Sequence, residues 1–274
     1  MSIRSIGRRI LVSVSPSALK QTVIRMHRFW PGFIGDRELR ALPVLVQPDR
    51  AVLDVGMHYG LYAIFLEDVA GPANLYGFEP LPSKLPELRR MFPRSQILPI
   101  ALSDRAGTGV LSIPIVGSTA KTSRATLETI RGTEAEAVTV VVDRLDDLHA
   151  RGVIPDVGFA KIDVEGHENN LLRGAVDVLR RCRPNLIIEI EQRHHEAPIQ
   201  ATFDALERLG YALYFLPPER DAIAPISAFR PLVHQNIEHH GSSSYVANFI
   251  ALPLPDATAT LNELARVGLP LVAD

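Results

Sequence analysis

The chain has a single cysteine, Cys182, in 274 residues. An internal disulfide framework is thereby excluded, and the scarcity of thiols fits a reducing compartment. Long apolar runs are missing as well: none approaches the roughly 18 residues that a membrane-spanning helix needs. No excess of one charge exists over the whole chain, whose formal balance is −2, so the basic footprint of a nucleic-acid binder is absent. Acids are lacking from the first 30 residues, which carry Arg4, Arg8, Arg9, Lys20, Arg25 and Arg28. The apolar stretch after Arg9 is short and no small-residue cleavage pattern follows it, so no signal peptide is expected. Two readings of this basic arm stand, a solvated segment or a peripheral dock on anionic lipid. The expected location is cytoplasmic, with the arm as the means of contact at the inner face of the membrane. Internal repeats and low-complexity segments are also absent.

What is present is a strand–turn–helix corner. In AVLDVGMHYGLYAIF, Ala51 to Val55 form an apolar run without alternation, as expected of a strand covered on both faces. From Gly60 onward Leu61, Ile64, Phe65 and Val69 fall at helical spacing. Gly56 and Gly60 bracket the turn, where glycine admits positive φ and a ligand can approach the backbone. Further along, NLYGFEP reads as a strand ending at Glu79. PSKLPELRRMF reads as a helix with Ser83 at its N-cap and Pro86 in its first turn. QILPIALSD holds a short strand, and GVLSIPI with AVTVVVDRL makes a hairpin-like excursion around a long loop, Gly117 to Thr133. Such length favours a lid or substrate loop. VGFAKIDVEG is a strand, HENNLLRGAVDVLRRC one helix, PNLIIEIE a strand and IQATFDALERLG a helix; YALYFL and SSYVANFIAL close the fold as strands. The order predicts an α/β fold, a doubly wound, mostly parallel Rossmann-like sheet with an antiparallel edge strand and N-terminal helices. Residues 1–50 are read as a helical segment, 51–252 as the main domain and 253–274 as a tail with a short helix.

In such a sheet ligands bind beyond the carboxyl ends of the strands. The polar residues expected there are Asp54, Gly56, Gly60, Glu79, Ser103, Asp104, Asp163, Glu165, Glu189 and Glu191. An acid at the next strand end, here Glu79, is placed to bind two ribose hydroxyls. The turn DVGMHYG lacks the G-x-G-x-x-G spacing of a dinucleotide site, and a pyrophosphate would meet the Asp54 carboxylate. A cationic sulfonium bearing an amino group would be attracted to it. S-adenosylmethionine fits better than a nicotinamide dinucleotide.

Five segments, LDVGMHYGLYA, YGFEP, IALSD, FAKIDVEGHENNLLRGA and RPNLIIEIEQRH, stand in the order and spacing of the FkbM-type methyltransferases. The resemblance spans roughly Arg37 to Leu252. It implies a class I S-adenosylmethionine-dependent O-methyltransferase whose acceptor is a small molecule or glycan hydroxyl. It also implies that Glu79 grips the ribose, that Gly56 and Asp54 lie at the methionine portion, and that Leu102, Ser103 and Asp104 border the adenine. Asp163 would face the sulfonium methyl, and Gly60 and His58 complete the turn. The turn departs from the family's usual DVGANxG, with Met57 and His58 in its middle. Two other classes compete: a nucleotide-dependent oxidoreductase, opposed by Asp54 and the missing third glycine, and a non-catalytic binding module, suggested by His58.

Each of these residues also has a plainer reading. Asp163 and Glu165 could merely cap the helix that begins near Glu168, and His167 could be a solvated first-turn residue. An acid inside the run NLIIEI, Glu189, is costly unless it is paired or lies at the open end. His194 and His195 follow that strand, and one of them is a candidate general base beside Asp163 and Glu189. His234, His239 and His240 cluster in sequence, but no H-x-x-x-H or CxxC spacing supports a metal, and none is expected. Cys182 reads as a packing residue near Leu179. Nucleic acid is not expected as a partner.

Overall fold

The computed structural model describes residues 16–29, 36–117, 119–129, 132 and 134–272. Arg4, Arg8 and Arg9 of the basic arm, and the WPGFIG stretch within the expected N-terminal helical segment, lie outside the described residues. The first described element is helix α1 (Pro16–Phe29), followed by a 3₁₀ turn (Arg37–Ala41) and the short α2 (Leu42–Leu45). Lys20 of α1 pairs with Glu67 and sits 4.2 Å over the Phe92 ring, so this part of the basic arm is packed. Among the described residues no helix is long and apolar enough to cross a membrane.

The main sheet is then built by β1 (Ala51–Val55), α3 (Leu61–Ala70), β2 (Leu75–Phe78), α4 (Leu85–Met91) and β3 (Gln96–Leu98). α4 begins after Lys84, with no side-chain cap bond, so Ser83 is not its N-cap. Immediately past Pro99 the chain leaves this sheet. Strands β4 (Ile100–Leu102), β5 (Gly107–Val116), β6 (Thr119–Ala120) and β7 (Ala135–Asp143) form a separate four-stranded sheet in the order β4-β7-β5-β6. The expected hairpin is its antiparallel β5–β7 pair. The sheet closes over its own small core of Leu81, Ala101, Leu111, Ile113, Val140 and Val142.

Helix α5 (Leu145–Ala150) leads back to β8 (Val157–Ile162) at the centre of the main sheet. The helix expected next is two helices, α6 (Glu168–Arg173) and α7 (Val176–Cys182), broken at Gly174. A Cβ on Gly174 would stand 1.8 Å from the Ser103 carbonyl oxygen. Only glycine permits that approach of backbone to backbone. The remaining elements are β9 (Asn185–Glu189), α8 (Gln200–Arg208), β10 (Tyr211–Phe215), β11 (Ala224–Pro225), α9 (Pro231–His234), β12 (Asn248–Pro253) and α10 (Ala257–Arg266).

The eight strands run β11-β10-β12-β9-β8-β1-β2-β3. Strands from β9 to β3 are parallel, whereas β12 is antiparallel to both β9 and β10. The antiparallel strand from SSYVANFIAL is thus inserted inside the sheet, and the edge beyond it is the two-residue β11. Burial explains the insertion: Asn248 to Pro253 are all buried, and a strand covered on both faces needs neighbours on both sides for its backbone groups. Alternate side chains enter two cores. Leu53, Val55, Ala160 and Ile162 face one with α7 and α8, and Val52, Phe159 and Ile187 face the other with α2, α3 and α10. The sheet is therefore a middle layer, and its carboxyl edge is left to the loops.

Candidate active site

The turn after β1 is held by its amides. Gly56 and Met57 donate to the Phe78 carbonyl at 3.0 and 3.1 Å, and Gly60 donates to the Met57 carbonyl at 2.6 Å. Gly56 has φ +84°, and a Cβ there would lie 1.7 Å from the Asp163 carbonyl oxygen. The ends of β1 and β8 can meet only because that residue is glycine. Met57 fills the space over Gly77, where a Cβ would stand 2.4 Å from its sulfur. His58 takes φ +48°, a left-handed conformation uncommon for a residue with a side chain. Its amide donates to Glu79 Oε2 at 2.7 Å, and Leu81 N donates to Glu79 Oε1 at 2.9 Å. Each carboxylate oxygen of Glu79 thus accepts one backbone bond and keeps a lone pair for a further donor. Burial raises its pKa, with these two amides and Lys84 opposing the rise.

A cleft of about 770 Å³, its open mouth included, lies at this edge. Gly56, His58, Glu79, Leu102 and Asp163 line it, as sequence reasoning expected of them. So do Glu165 and His167. The long loop contributes Thr122, Ser123, Thr126 and Leu127. It is tied down at two histidines. His58 Nε2 lies 3.3 Å from Thr122 Oγ1, and His167 Nδ1 lies 2.6 Å from Glu128 Oε1. The other ring nitrogen of His167 meets Ser103 Oγ at 2.8 Å. His167 is therefore a buried tie between loop and helix.

Other expected residues stand beside the cleft. Ser103 is buried under His167. Asp104 faces Arg173 at 3.1 Å; slight burial raises its pKa but the guanidinium outweighs it and holds the carboxyl low. Gly60 starts α3 in a left-handed conformation. Asp54 is 2% exposed, and among the described residues its Oδ2 has no hydrogen-bond partner. Burial raises its carboxyl to about 7, against the pull of Lys161 directly across the β1–β8 register.

Lys161 is the residue that sequence reasoning passed over. It is 2% exposed, donates to Asn248 Oδ1 at 2.9 Å, and lies 3.9 Å from Glu189 Oε2. Burial favours its neutral form, but Asp163 and Glu189 outweigh it and raise its pKa. A lysine within the apolar run VGFAKI was the signal: a buried cation needs anions around it. Here it anchors a group of acids. Asp163, Glu165 and Glu189 each present an oxygen within 4.8 Å of the others. Burial raises all three, Glu165 to about 8; Asp163 repels Glu165 and Glu189 further upward, and Glu168 does the same to Asp163. Glu165 also holds φ +51°, a strained conformation of the kind found at functional sites.

The two candidate base histidines lie behind this group and do not line the cleft. His194 Nε2 is 3.2 Å from Glu165 Oε2. Burial and Arg193 lower His194 to about 4. His195 Nε2 is 3.1 Å from Glu168 Oε2. Glu191 is turned away onto Arg193 in a forked pair at 2.9 and 2.5 Å. Burial pushes Glu191 up, but Arg193 and the Tyr245 hydroxyl outweigh it and hold the carboxyl at about 2.

The polar side chains lining the cleft are thus rich in carboxyl groups and poor in anion binders. They suit hydroxyls, an ammonium group or a sulfonium, and they do not suit a pyrophosphate. Asp54 Oδ2, orphaned and buried at the turn, fits the same cationic ligand.

Residues 54–213, more than half of the chain, match the methyltransferase FkbM domain. The hexuronic acid methyltransferase AglP of Haloferax volcanii is 27% identical over 193 residues, covering 66% of this chain and 74% of its own. A crystal structure of an FkbM methyltransferase from Methylobacillus flagellatus aligns with a TM-score of 0.45 and 16% identity, covering 76% of this chain. This chain spans 45% of that structure's length. A TehB-like S-adenosylmethionine-dependent methyltransferase from Corynebacterium glutamicum aligns with a TM-score of 0.40 and 12% identity, over 86% of this chain and 95% of its own.

Proposed function

Because the chain belongs to the FkbM family of S-adenosylmethionine-dependent methyltransferases, we propose that it methylates a hydroxyl oxygen of a sugar, a glycan or a related natural product. When bound, the cofactor supplies a methyl carbon already activated by a positive sulfur. One observation carries the reading: a single cleft joins Gly56, Glu79 and Leu102 to the acids Asp163 and Glu165. Glu79 accepts from the ribose hydroxyls through the lone pairs left by its two amide bonds. Gly56 lets the methionine portion approach the backbone, with Asp54 as the counter-charge behind it. Leu102 packs on the adenine, and Ser103 and Asp104 shape that end from outside. Asp163 faces the sulfonium.

An alcohol ionises far above neutrality, so its proton must pass to a base as the oxygen attacks. Glu165 takes that role in this reading. It lines the cleft, and its raised pKa makes its carboxylate a stronger base than a solvated one. A cation bound nearby pulls the pKa back down, so the carboxylate form is populated when the cofactor is present. His194, lowered to about 4 by burial and Arg193, packs behind that carboxyl at 3.2 Å and adds no positive charge there at pH 7. The hydroxyls of Thr122, Ser123 and Thr126 suit an acceptor rich in hydroxyl groups. A sugar acceptor is also supported by the relative from Haloferax volcanii, a hexuronic acid methyltransferase.

Methyl-labelled cofactor offered with a panel of hexuronic acid glycosides, neutral hexosides and simple amines tests the reading. Mass spectrometry should find the label as a methyl ether on a sugar oxygen. Transfer to the amines alone would refute the acceptor class and leave the cofactor assignment intact.

A further inference from the structure

We propose that His149, Asp156 and Cys182 form a site for a zinc-class divalent cation at the pole of the sheet opposite the cleft. The three come from separate elements: His149 from α5, Asp156 from the residue before β8, and Cys182 from the end of α7. Their ligating atoms converge. His149 Nε2 lies 3.0 Å from Asp156 Oδ1, and Cys182 Sγ lies 3.8 Å from His149 Nε2 and 3.6 Å from Asp156 Oδ1. A tetrahedral zinc ion, with bonds of about 2.0–2.3 Å, holds its nitrogen, sulfur and oxygen ligands about 3.4–3.6 Å apart. The trio stands within a few tenths of an ångström of that spacing.

The ligand chemistry selects the metal. A thiolate and an imidazole suit zinc, cobalt or nickel and disfavour magnesium and calcium, which take oxygen. Burial is graded across the site. Cys182 is buried, the His149 side chain is 18% exposed and that of Asp156 is 73% exposed. The protein supplies an inner wall, and water can take the fourth position from the open side. Leu145, Leu148, Val157 and Leu179 are all core residues, so packing already fixes the elements that carry the ligands. Arg50 is the cation the site must tolerate, and its guanidinium is engaged by Gln47 Oε1 at 3.0 Å. An ion here would clamp α5 and α7 to the start of β8, the strand whose far end leads into Asp163.

The sole cysteine makes the test specific. Full-length protein stripped with a chelator is titrated with cobalt(II), and near-ultraviolet thiolate-to-cobalt charge transfer reports Cys182 alone. Acids of the cleft bind through oxygen and give no such band. The band should saturate at one equivalent and bleach as zinc displaces cobalt. It should vanish in Cys182→Ser and need at least roughly tenfold more cobalt in His149→Ala and Asp156→Asn. Asp156 is exposed, so Asp156→Asn keeps the fold even if Cys182→Ser does not. S-adenosylmethionine affinity should be unchanged in Asp156→Asn, which separates this site from the cleft. A wild type with no charge-transfer band, or a band equally strong in His149→Ala and Asp156→Asn, overturns the proposal and leaves a hydrogen-bonded trio.

Discussion

Glu165 carries the sharpest consequence at the scale of single residues. Below pH 8 its carboxyl, raised to about 8 by burial and Asp163, is mostly protonated. A cationic ligand prefers the carboxylate, so S-adenosylmethionine should bind more tightly as pH rises from 6 and level off above 8. The neutral demethylated product should show no such slope, and Glu165→Gln should flatten the slope for the cofactor. Calorimetric titration of both ligands across this range decides the point, and identical pH profiles for the two would refute it. Glu79→Ala should weaken cofactor affinity by about 1.5–3 kcal/mol, the range for hydrogen bonds to a charged group. An unchanged affinity in that variant would remove Glu79 from the ribose site. Gly56, Glu79 and Asp163 were legible in the sequence because strand-end position alone brings such residues to the cleft. Lys161 and the place of His194 were not. Their environment depends on which strand lies alongside and which helix packs behind, and spacing along one chain does not encode that.

At the scale of elements, the strands of the main sheet other than the two-residue β11 were readable from unbroken apolar runs, and most helices from their period. The second sheet was readable only in its β5–β7 hairpin; its separation from the main sheet was hidden, because Pro99 separates two three-residue strands that read as one. The break between α6 and α7 was hidden for a similar reason. Gly174 interrupts no apolar period, and its necessity comes from the Ser103 carbonyl, 71 residues earlier in the chain. Gly174→Ala should therefore destabilise the protein far beyond the roughly 1 kcal/mol span of helix propensity, by about 2–4 kcal/mol. Chemical denaturation should show this as a lowered midpoint, whereas a gain in stability would mean that the two backbones do not meet. The loop over the cleft depends on equally distant contacts. His167→Ala removes the tie to Glu128, so amide exchange across residues 119–129 should quicken while that of β1 and β8 stays slow. Uniform exchange in the variant would show that the loop is held without His167.

For the molecule as a whole, these carboxyls make stability depend on pH in a direction unlike that of most proteins. Burial raises Asp54, Glu165 and Glu38, the last in the 3₁₀ turn before α2, to about 7, 8 and 7 respectively, from ordinary values near 4. Between those limits the folded chain holds protons that the unfolded chain has released, so its stability falls as pH rises. His194, lowered to about 4 by burial and Arg193, acts in the opposite sense, since the unfolded chain binds its proton up to about pH 6.5. Glu191, held at about 2 against its burial by Arg193, adds stability above the ordinary carboxylate range that is lost only in strong acid. From pH 6.5 to 8 the raised acids therefore act unopposed by these two groups. The melting temperature of the ligand-free protein should decline steadily across that window. Glu165→Gln should shrink the decline, because its amide has no proton to lose. Saturating S-adenosylmethionine should raise the melting temperature more at pH 8 than at pH 6.5, since the cation binds the ionised acids that destabilise the empty cleft. Scanning calorimetry at a series of pH values, with and without cofactor, measures all three effects. A ligand-free melting temperature that is level or rising between pH 6.5 and 8 would mean that water or a bound cation already neutralises the group.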